Sequence, residues 1–318
     1  MIPAKKLNKY FEEGMMTEQR LRSDNSHLDE VINTLNRESD VILQEVSETI
    51  KSFNNKSAKE LDNNYIRTTI DQLTYLYFML PAVLKEPDSF WRARPSEKGQ
   101  LFEHTDDLAY PPSGHTSLAR ANHQNSSIFY AASSPETAFS ECRFNENDNF
   151  HLTKYSVKKD SKLHVLILGD IDSLRRTSKT VFDSIERADA HNYVLNRLKD
   201  DIRMAVRLVD AFIVDRLARK GSDDEYRITA SIVTELLKPE EVSGIIYPSV
   251  EHPGGFNYAI KPDCYDKHIE PTETRISTMM NNYGYGMYKN FESSPVAINS
   301  NPGSIVWPKE IRNQIKRK

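Results

Sequence analysis

The stretch LARANHQNSSIFYAASSPETAFSECR, which runs from Leu118 to Arg143, carries the signals of a β-strand followed at once by an α-helix. The run Ser127–Ala132 predicts a short strand, with Ile128, Tyr130 and Ala132 on one side and Phe129 and Ala131 on the other. Ser134 and Pro135 then form a helix start, because serine is a favoured N-cap residue and proline fits the first helical position. We therefore predict a strand that leads directly into a helix.

Glu141 occupies an unusual place in this predicted helix. It lies three residues after Ala138 and beside Phe139 and Cys142, so its side chain belongs to the apolar face. A carboxylate on such a face needs a partner or a function, because acidic side chains are rarely buried alone. The alternative is a helix rotated slightly, so that Glu141 is a solvated surface residue.

The chain on the N-terminal side of this stretch is predicted to be helical. Between Gly14 and Pro81 the sequence contains neither glycine nor proline, and its apolar residues recur at helical spacing. Two runs show this spacing: Leu28, Val31, Ile32, Leu35, Val41, Ile42, Val46 and Ile50, then Ile66, Ile70, Leu73, Tyr75, Leu76, Phe78 and Met79. We assign no chemistry to this unit and expect it to serve scaffolding, oligomerisation or regulation.

After Pro81 the pattern changes to short strand-like runs between helical ones. The strand-like runs are Ser127–Ala132, Leu152–Val157, His164–Leu168 and Gly244–Pro248, and the helical ones are Pro135–Phe144, Ser184–Lys220 and Glu225–Leu237. The fold class is therefore predicted as α+β. We predict a helical N-terminal domain at 1–85, a domain of mixed sheet and helices at 86–265, and a C-terminal extension at 266–318 that wraps the second domain or stays mobile.

Composition and missing motifs exclude several classes of protein. The 318 residues are 38% apolar and 28% charged, and no apolar run is long enough to span a membrane. The first residues lack the pattern of a secretory signal, so we expect a cytoplasmic location. A net charge of -4 argues against nucleic-acid binding, and the basic end from Lys309 to Lys318 is explained by a solvated tail.

The same survey argues against a metal site and against several catalytic mechanisms. Two cysteines, Cys142 and Cys264, cannot build a disulfide framework, and the nine histidines lack metal-ligand spacing. The sequence contains no GxGxxG, GxxxxGK[ST], HExxH or GxSxG motif. We therefore expect an activity that requires neither a metal nor a bound cofactor.

Four separated blocks resemble the RES family, which is named for its Arg, Glu and Ser and is similar in fold to ADP-ribosyltransferases. The first block is Phe90-Trp91-Arg92-Ala93-Arg94, and the second is Arg120-Ala121-Asn122. The third joins Tyr130 at a strand end to Glu141 on a helix, and the fourth joins Tyr247-Pro248-Ser249 to Asn257. Members of this family destroy NAD⁺, usually as toxins of bacterial toxin-antitoxin pairs.

The resemblance implies a role for each residue. Glu141 would stabilise the positive charge that develops on the ribose when nicotinamide leaves, and a cationic leaving group needs no second carboxylate to protonate it. Arg92 and Arg120 would bind the pyrophosphate, since a guanidinium matches phosphate oxygens. Tyr130 would border the nicotinamide ring. Ser249 would hold Glu141 or the ribose by a hydroxyl bond, with Asn122 and Asn257 as further substrate-binding residues.

Several functions stay open at this point. The resemblance implies an NAD⁺ glycohydrolase or phosphorylase, with water or inorganic phosphate as co-substrate and an antitoxin protein as partner. A protein ADP-ribosyltransferase and an inactive helical interaction protein are the alternatives. The N-terminal helices offer a surface for a homo-oligomer. Taken singly, each residue also has a simpler explanation. Arg92 could be a surface residue of a strand, and Tyr130 could be a core aromatic with its hydroxyl at the edge. Ser249 and Asn257 could serve only the turn around Pro253-Gly254-Gly255.

Overall fold

A computed structural model describes residues 25–37, 39–77, 79–97, 100–284, 287–298 and 303–316. Phe78 and the residues before 25 lie outside the described residues, as do the last two of the basic tail. Helices and strands both occur along the described chain, and the strands pair in parallel and antiparallel fashion, which confirms the α+β prediction. No helix in these ranges has the length and apolar character needed to cross a bilayer.

The described residues form ten α-helices and ten β-strands. The helices are α1 (Asn25–Arg37), α2 (Ser39–Asn54), α3 (Asn63–Thr74), α4 (Pro135–Cys142), α5 (Asp170–Thr177), α6 (Ile185–Leu195), α7 (Asp200–Ala218), α8 (Asp223–Leu236), α9 (Pro262–His268) and α10 (Lys309–Lys316). The strands are β1 (Pro81–Lys85), β2 (Ser89–Pro95), β3 (Phe129–Ala132), β4 (Asn149–Val157), β5 (Lys162–Ile167), β6 (Gly244–Pro248), β7 (Phe256–Ile260), β8 (Ile269–Asn282), β9 (Tyr288–Glu292) and β10 (Val296–Ala297).

The chain divides into two compact units, each built from three separate segments. The first unit contains Met1–Val83, Ser117–Asn125 and His164–Tyr247, and the second contains Leu84–Thr116, Ser126–Leu163 and Pro248–Lys318. These units combine segments that the sequence division at 85 and 265 keeps apart. The N-terminal helices share a unit with α7 and α8, and residues after 265 share a unit with β2 and α4.

The first unit is mostly helical, and its N-terminal helices supply much of the core. Helix α2 packs on α7, and α3 packs on α8. Phe53 and Ile66 are completely buried, and the ring of Phe53 meets Phe212 edge to face. Val41 departs from the predicted apolar face, because its side chain is 56% exposed. Of the three roles expected for the N-terminal helices, scaffolding is the one that this packing supports.

The long helix predicted over Ser184–Lys220 is two helices, α6 and α7, with a break at residues 196–199. The break exposes backbone groups that a continuous helix would pair internally. Asn36 of α1 satisfies two of them, because its amide donates to the Arg197 carbonyl at 3.0 Å and its oxygen accepts from the Lys199 amide at 2.7 Å. The prediction of one continuous helix over Ser184–Lys220 is wrong, because the break depends on Asn36, which is far away in the sequence.

A buried acidic cluster lies between α5 and α7 of the first unit. The Tyr77 hydroxyl donates to Asp210 Oδ1 at 2.5 Å, and the Asp172 amide donates to Asp210 Oδ2 at 2.6 Å. Nearby, Asp170 forms an ion pair with Arg187 at 2.5 Å, and both side chains are buried. The pKa of Asp210 is raised to about 6, mainly by burial and also by the negative charges of Asp172 and Asp170, while the hydrogen bonds from Tyr77 and the Asp172 amide partly offset the rise.

The second unit is built on antiparallel strands in the order β7-β3-β2-β4-β8-β10, with β9 also pairing with β8. Strands β2 and β4 pair along the whole of β2, from Ser89 opposite Ser156 to Pro95 opposite Phe150. Trp91 and Ala93 share a face of this sheet with Leu152 and pack against α4.

The segment from 266 onward, which was predicted as an extension, contributes β8 to this sheet, and β8 pairs with β4 along the full length of β4. Polar residues occupy buried positions on both faces of β8, so its sequence shows no apolar alternation. Thr274 and Ser277 are at most 1% exposed, although neither is an apolar residue. Hydropathy therefore does not mark this strand.

We expect the Asp210→Asn substitution to change stability in a pH-dependent manner. The folded-state pKa of Asp210 is raised above the unfolded value of about 4, so its stabilising contribution is present at low pH and lost as the pH rises through 6. The destabilisation caused by Asp210→Asn should therefore shrink by about 2 kcal/mol between pH 4.5 and 7.5. Urea unfolding across this range measures the change.

Asp215→Asn on the same helix is the matched control, because the Asp215 side chain is 57% exposed in a surface ion pair with Arg219. Its effect should vary by less than about 0.5 kcal/mol over the same pH range. Equal pH profiles for the two variants would contradict the assignment of a raised pKa to Asp210.

Candidate active site

Helix α4 begins and ends as its sequence predicts. Ser134 is the N-cap and accepts a hydrogen bond from the Thr137 amide at 3.2 Å, and Pro135 occupies the first helical position. Arg143 ends the helix in the left-handed conformation with φ 50°. Ala138 and Phe139 bury their side chains against β2 and β3. This packing directs the last turn of α4, with Glu141, toward the β7 side of the unit.

The Glu141 carboxylate is held by two donors on a single oxygen. Its Oε1 accepts a hydrogen bond from the Ser249 hydroxyl at 2.6 Å and one from the Asn257 amide at 2.7 Å. Ser249 is 8% exposed and Asn257 is 5% exposed, whereas Glu141 is half-buried. Within the described part of the chain, no hydrogen bond reaches Oε2. The two carboxylate oxygens therefore differ, since both hydrogen bonds that the described residues make to Glu141 reach Oε1.

The direction of the Ser249 hydroxyl bond follows from its second contact. The His252 amide donates to Ser249 Oγ at 3.0 Å, and an amide can only donate. The Ser249 proton is therefore available for Glu141, which as a carboxylate can only accept. The structure brings Glu141, Ser249 and Asn257 together, and a bond to Glu141 is one of the two roles that the resemblance implies for Ser249.

Arg92 and Tyr130 lie on the neighbouring strands β2 and β3 of the same unit. Arg92 alternates with Trp91 and Ala93, so its side chain leaves β2 on the face opposite α4. There the guanidinium lies 5.3 Å from the centre of the Phe129 ring, and Nη1 donates to the Tyr130 carbonyl at 2.9 Å. Tyr130 itself is half-buried and pairs with Ala259 of β7.

Arg120 and Asn122 belong to the first unit, on the segment Ser117–Asn125. Arg120 Nη1 donates to the carbonyls of Leu217 and Arg219, at 2.6 Å and 3.0 Å, and so satisfies the end of α7. A guanidinium is well placed at a helix C-terminus because the unpaired carbonyls there carry partial negative charge. The Asn122 amide donates to the carbonyls of Ser117 and His123 and so organises its own loop. Phosphate binding by Arg120 stays a prediction.

Comparison with protein-family models finds one matching family. The RES domain model matches residues 89–278. The chain belongs to the RES domain family. No curated protein and no solved structure matches this sequence. The resemblance drawn from Arg92, Arg120, Glu141 and Ser249 is therefore confirmed at the level of the family.

The RES match starts at the first residue of β2 and ends inside β8. It reaches beyond residue 265, the end of the RES domain predicted from the sequence. The structure gives the reason, because β8 pairs with β4 along its length and completes the sheet that carries Arg92 and Trp91. The matched range also includes segments of both compact units.

Sequence reasoning missed two residues at this candidate site. His252 lies three residues after Ser249, and its Nδ1 is 2.8 Å from the Thr137 hydroxyl on α4. Thr137 is fully buried and follows the N-cap Ser134 by three residues. A serine whose oxygen bonds the amide three residues later is a common turn motif, so the backbone contact of His252 was predictable. The ring contact joins residues 115 positions apart and leaves no local signal.

Cys142 follows Glu141 in α4, and its thiol favours the neutral form. Burial raises the pKa of the Cys142 thiol to about 11; the positive charge of Arg92 lowers it and the negative charge of Glu141 raises it. The thiol is therefore neutral near pH 7 and donates to the Ala93 carbonyl instead of acting as a nucleophile. In the ranges that the structure describes, no group of three or more acidic, histidine or cysteine side chains could hold a metal ion.

Arg120→Ala is expected to destabilise the protein by about 1.5–3 kcal/mol, because it removes charged donors from two carbonyls at the end of α7. Arg219→Ala at the same helix end is the control. The Arg219 side chain is 39% exposed in surface ion pairs, so its loss should cost about 1 kcal/mol or less. Denaturant unfolding of both variants gives the comparison, and equal losses would argue against a structural role for Arg120.

Proposed function

We propose that this RES domain cleaves the bond between nicotinamide and ribose in NAD⁺. The observation that carries the proposal is the arrangement of the Glu141 carboxylate. Its Oε1 is occupied by Ser249 and Asn257, and its Oε2 has no hydrogen bond within the described residues. Such an arrangement suits an anion that must face a positive charge at a defined position and must not rotate.

The chemistry of NAD⁺ matches a site with one carboxylate. Nicotinamide leaves as a neutral molecule from a cationic ring, so the leaving group needs no proton, unlike an ordinary glycoside that requires a second carboxyl group as acid. Positive charge then develops on the ribose, between its ring oxygen and the carbon that loses nicotinamide. Glu141 would stabilise this charge electrostatically and accept a hydrogen bond from a ribose hydroxyl through Oε2.

The remaining residues would bind the rest of the substrate. The resemblance is what assigns Arg92 and Arg120 to the pyrophosphate, since a guanidinium binds phosphate oxygens through paired donors; Arg92 leaves β2 on the face opposite the helix that carries Glu141. Arg92 Nη1 donates to the Tyr130 carbonyl, and Arg120 Nη1 donates to the carbonyls of Leu217 and Arg219. Tyr130 would border the nicotinamide ring, and Asn122 would keep the Arg120 loop in shape.

The biological role that we propose is growth arrest through loss of NAD⁺ in the cytoplasm. An antitoxin protein would then be the natural partner, as in toxin-antitoxin pairs of the family that the sequence resembles. Water and inorganic phosphate are both candidate acceptors for the ADP-ribose group, and a protein side chain is a third. Product analysis with and without phosphate separates hydrolysis, phosphorolysis and protein ADP-ribosylation.

The Glu141→Gln substitution should lower kcat for NAD⁺ cleavage by about a hundredfold or more while leaving NAD⁺ affinity within threefold. Glutamine keeps the length and an oxygen acceptor but has no negative charge to stabilise the ribose cation. Nicotinamide release gives the rate, and calorimetry gives the affinity.

Glu136→Gln provides the matched control, because Glu136 is an exposed residue in the first turn of the same helix. Its rate should stay within twofold of the native rate. Near-native turnover of Glu141→Gln would exclude the mechanism proposed for Glu141.

In bacteria, expression of the intact chain without a partner is expected to stop growth and deplete NAD⁺, whereas expression of Glu141→Gln at the same level should do neither. Intracellular NAD⁺ measured before growth slows distinguishes a cause from a consequence of arrest. Arrest with unchanged NAD⁺, or arrest by both forms, would refute the proposed role.

A further inference from the structure

The loop from Ser249 to Gly255 is fastened to helix α4 at a point away from Glu141. At the first turn of α4, the Thr137 hydroxyl lies 2.8 Å from His252 Nδ1 and 3.1 Å from the Ser134 hydroxyl. Thr137 is completely buried, so the polar contact between its hydroxyl and the His252 ring is sheltered from water. An unpaired polar group in such a place would be costly.

His252 connects this contact to the Glu141 carboxylate through two further hydrogen bonds. The ring of His252 contacts the Thr137 hydroxyl, and the backbone amide of His252 donates to Ser249 Oγ at 3.0 Å. Ser249 in turn donates to Glu141 Oε1 at 2.6 Å. The loop also closes on itself, because the Ser249 amide donates to the Gly255 carbonyl at 2.8 Å. The position of the Ser249 hydroxyl therefore depends on where His252 sits.

Gly255 shows how closely the loop and α4 approach each other at this contact. A Cβ atom built on Gly255 would lie 2.2 Å from Thr137 Oγ1 and 2.9 Å from His252 Nδ1. No side chain fits in that space without displacing the hydrogen-bonded pair. Glycine at 255 thus lets the backbone pass directly over the contact between Thr137 and His252.

We propose that Thr137 and His252 are positioning residues for the reaction of the RES domain. They fix the position of the Ser249 hydroxyl, and through it the orientation of the Glu141 carboxylate, without touching the substrate. This inference rests on the proposed function of Glu141 and adds to it residues that act on the opposite end of α4. A displacement of about 1 Å at a catalytic group is enough to slow a reaction severalfold to a hundredfold.

The test compares Thr137→Val with Thr137→Ser. Valine has the shape of threonine but no hydroxyl, so His252 loses its partner, whereas serine keeps the hydroxyl. Thr137→Val should lower kcat for NAD⁺ cleavage about tenfold with KM within threefold, and Thr137→Ser should recover most of the turnover. In Ser249→Ala the substitution Thr137→Val should slow cleavage little further, because both act through the same hydroxyl.

Tyr288→Phe is the control for a general loosening of α4. The Tyr288 hydroxyl contacts Ser140 of the same helix at 2.9 Å but has no part in the bonds that lead to Glu141. This variant should keep kcat within twofold. If Thr137→Val and Tyr288→Phe slow cleavage equally, the positioning role is overturned in favour of simple helix packing.

Crystal structures of the two Thr137 variants show the distance between the Ser249 hydroxyl and Glu141 Oε1, a measurement that does not depend on activity. In Thr137→Val the Ser249 hydroxyl should move out of hydrogen-bond range of Glu141 Oε1, and in Thr137→Ser it should stay. A retained contact in Thr137→Val overturns the inference even if Glu141→Gln abolishes cleavage. Conversely, loss of the contact together with intact turnover of Glu141→Gln would refute the proposed function and would leave only the structural part of the inference, namely that Thr137 and His252 hold Ser249 on Glu141.

Discussion

A single carboxylate in the last turn of a short helix is the constraint on which the second unit depends. The C-terminal end of a helix carries partial negative charge, so an acid there is less favourable than a base. Glu141 is nevertheless placed at this end of α4, and two hydrogen-bond donors offset the unfavourable position. Ser249 and Asn257 come from the region around β7, so the helix and that part of the sheet must fit together for the carboxylate to be satisfied. A local arrangement that is unfavourable for stability is typical of functional sites.

The register between β3 and β7 places Asn257 where it can bind the Glu141 carboxylate. Asn257 pairs with Ala132 across β7 and β3, and Ala132 lies on the face of the sheet that α4 covers. Because side chains alternate along a strand, a shift of one residue would turn Asn257 to the other face. The segment between Ser249 and Gly255 folds back on itself through a backbone bond and brings the serine beside the asparagine. Secondary structure and a tight loop together therefore fix one oxygen of Glu141 and leave the other open.

The residues whose roles are local were predictable from the sequence, and those whose roles depend on distant contacts were not. Ser134 and Pro135 predicted the start of α4 because capping is decided within four residues. Arg120 matched a family motif, but its bonds to the end of α7 involve carbonyls about 100 positions away. The break between α6 and α7 depends in the same way on Asn36. Strand β8 was not predicted for another reason, since buried threonine and serine residues on both of its faces remove the hydropathy signal.

The central claim is that Glu141 presents Oε2 to the ribose while Ser249 and Asn257 hold Oε1. The most direct measurement is a crystal structure of the native protein with ADP-ribose bound, because this molecule keeps the ribose and the pyrophosphate of NAD⁺. We expect a ribose hydroxyl within about 2.5–3.0 Å of Glu141 Oε2, with both contacts to Oε1 unchanged. A complex in which the ribose lies away from Glu141, or in which Ser249 and Asn257 release the carboxylate to bind the ligand themselves, would contradict the claim.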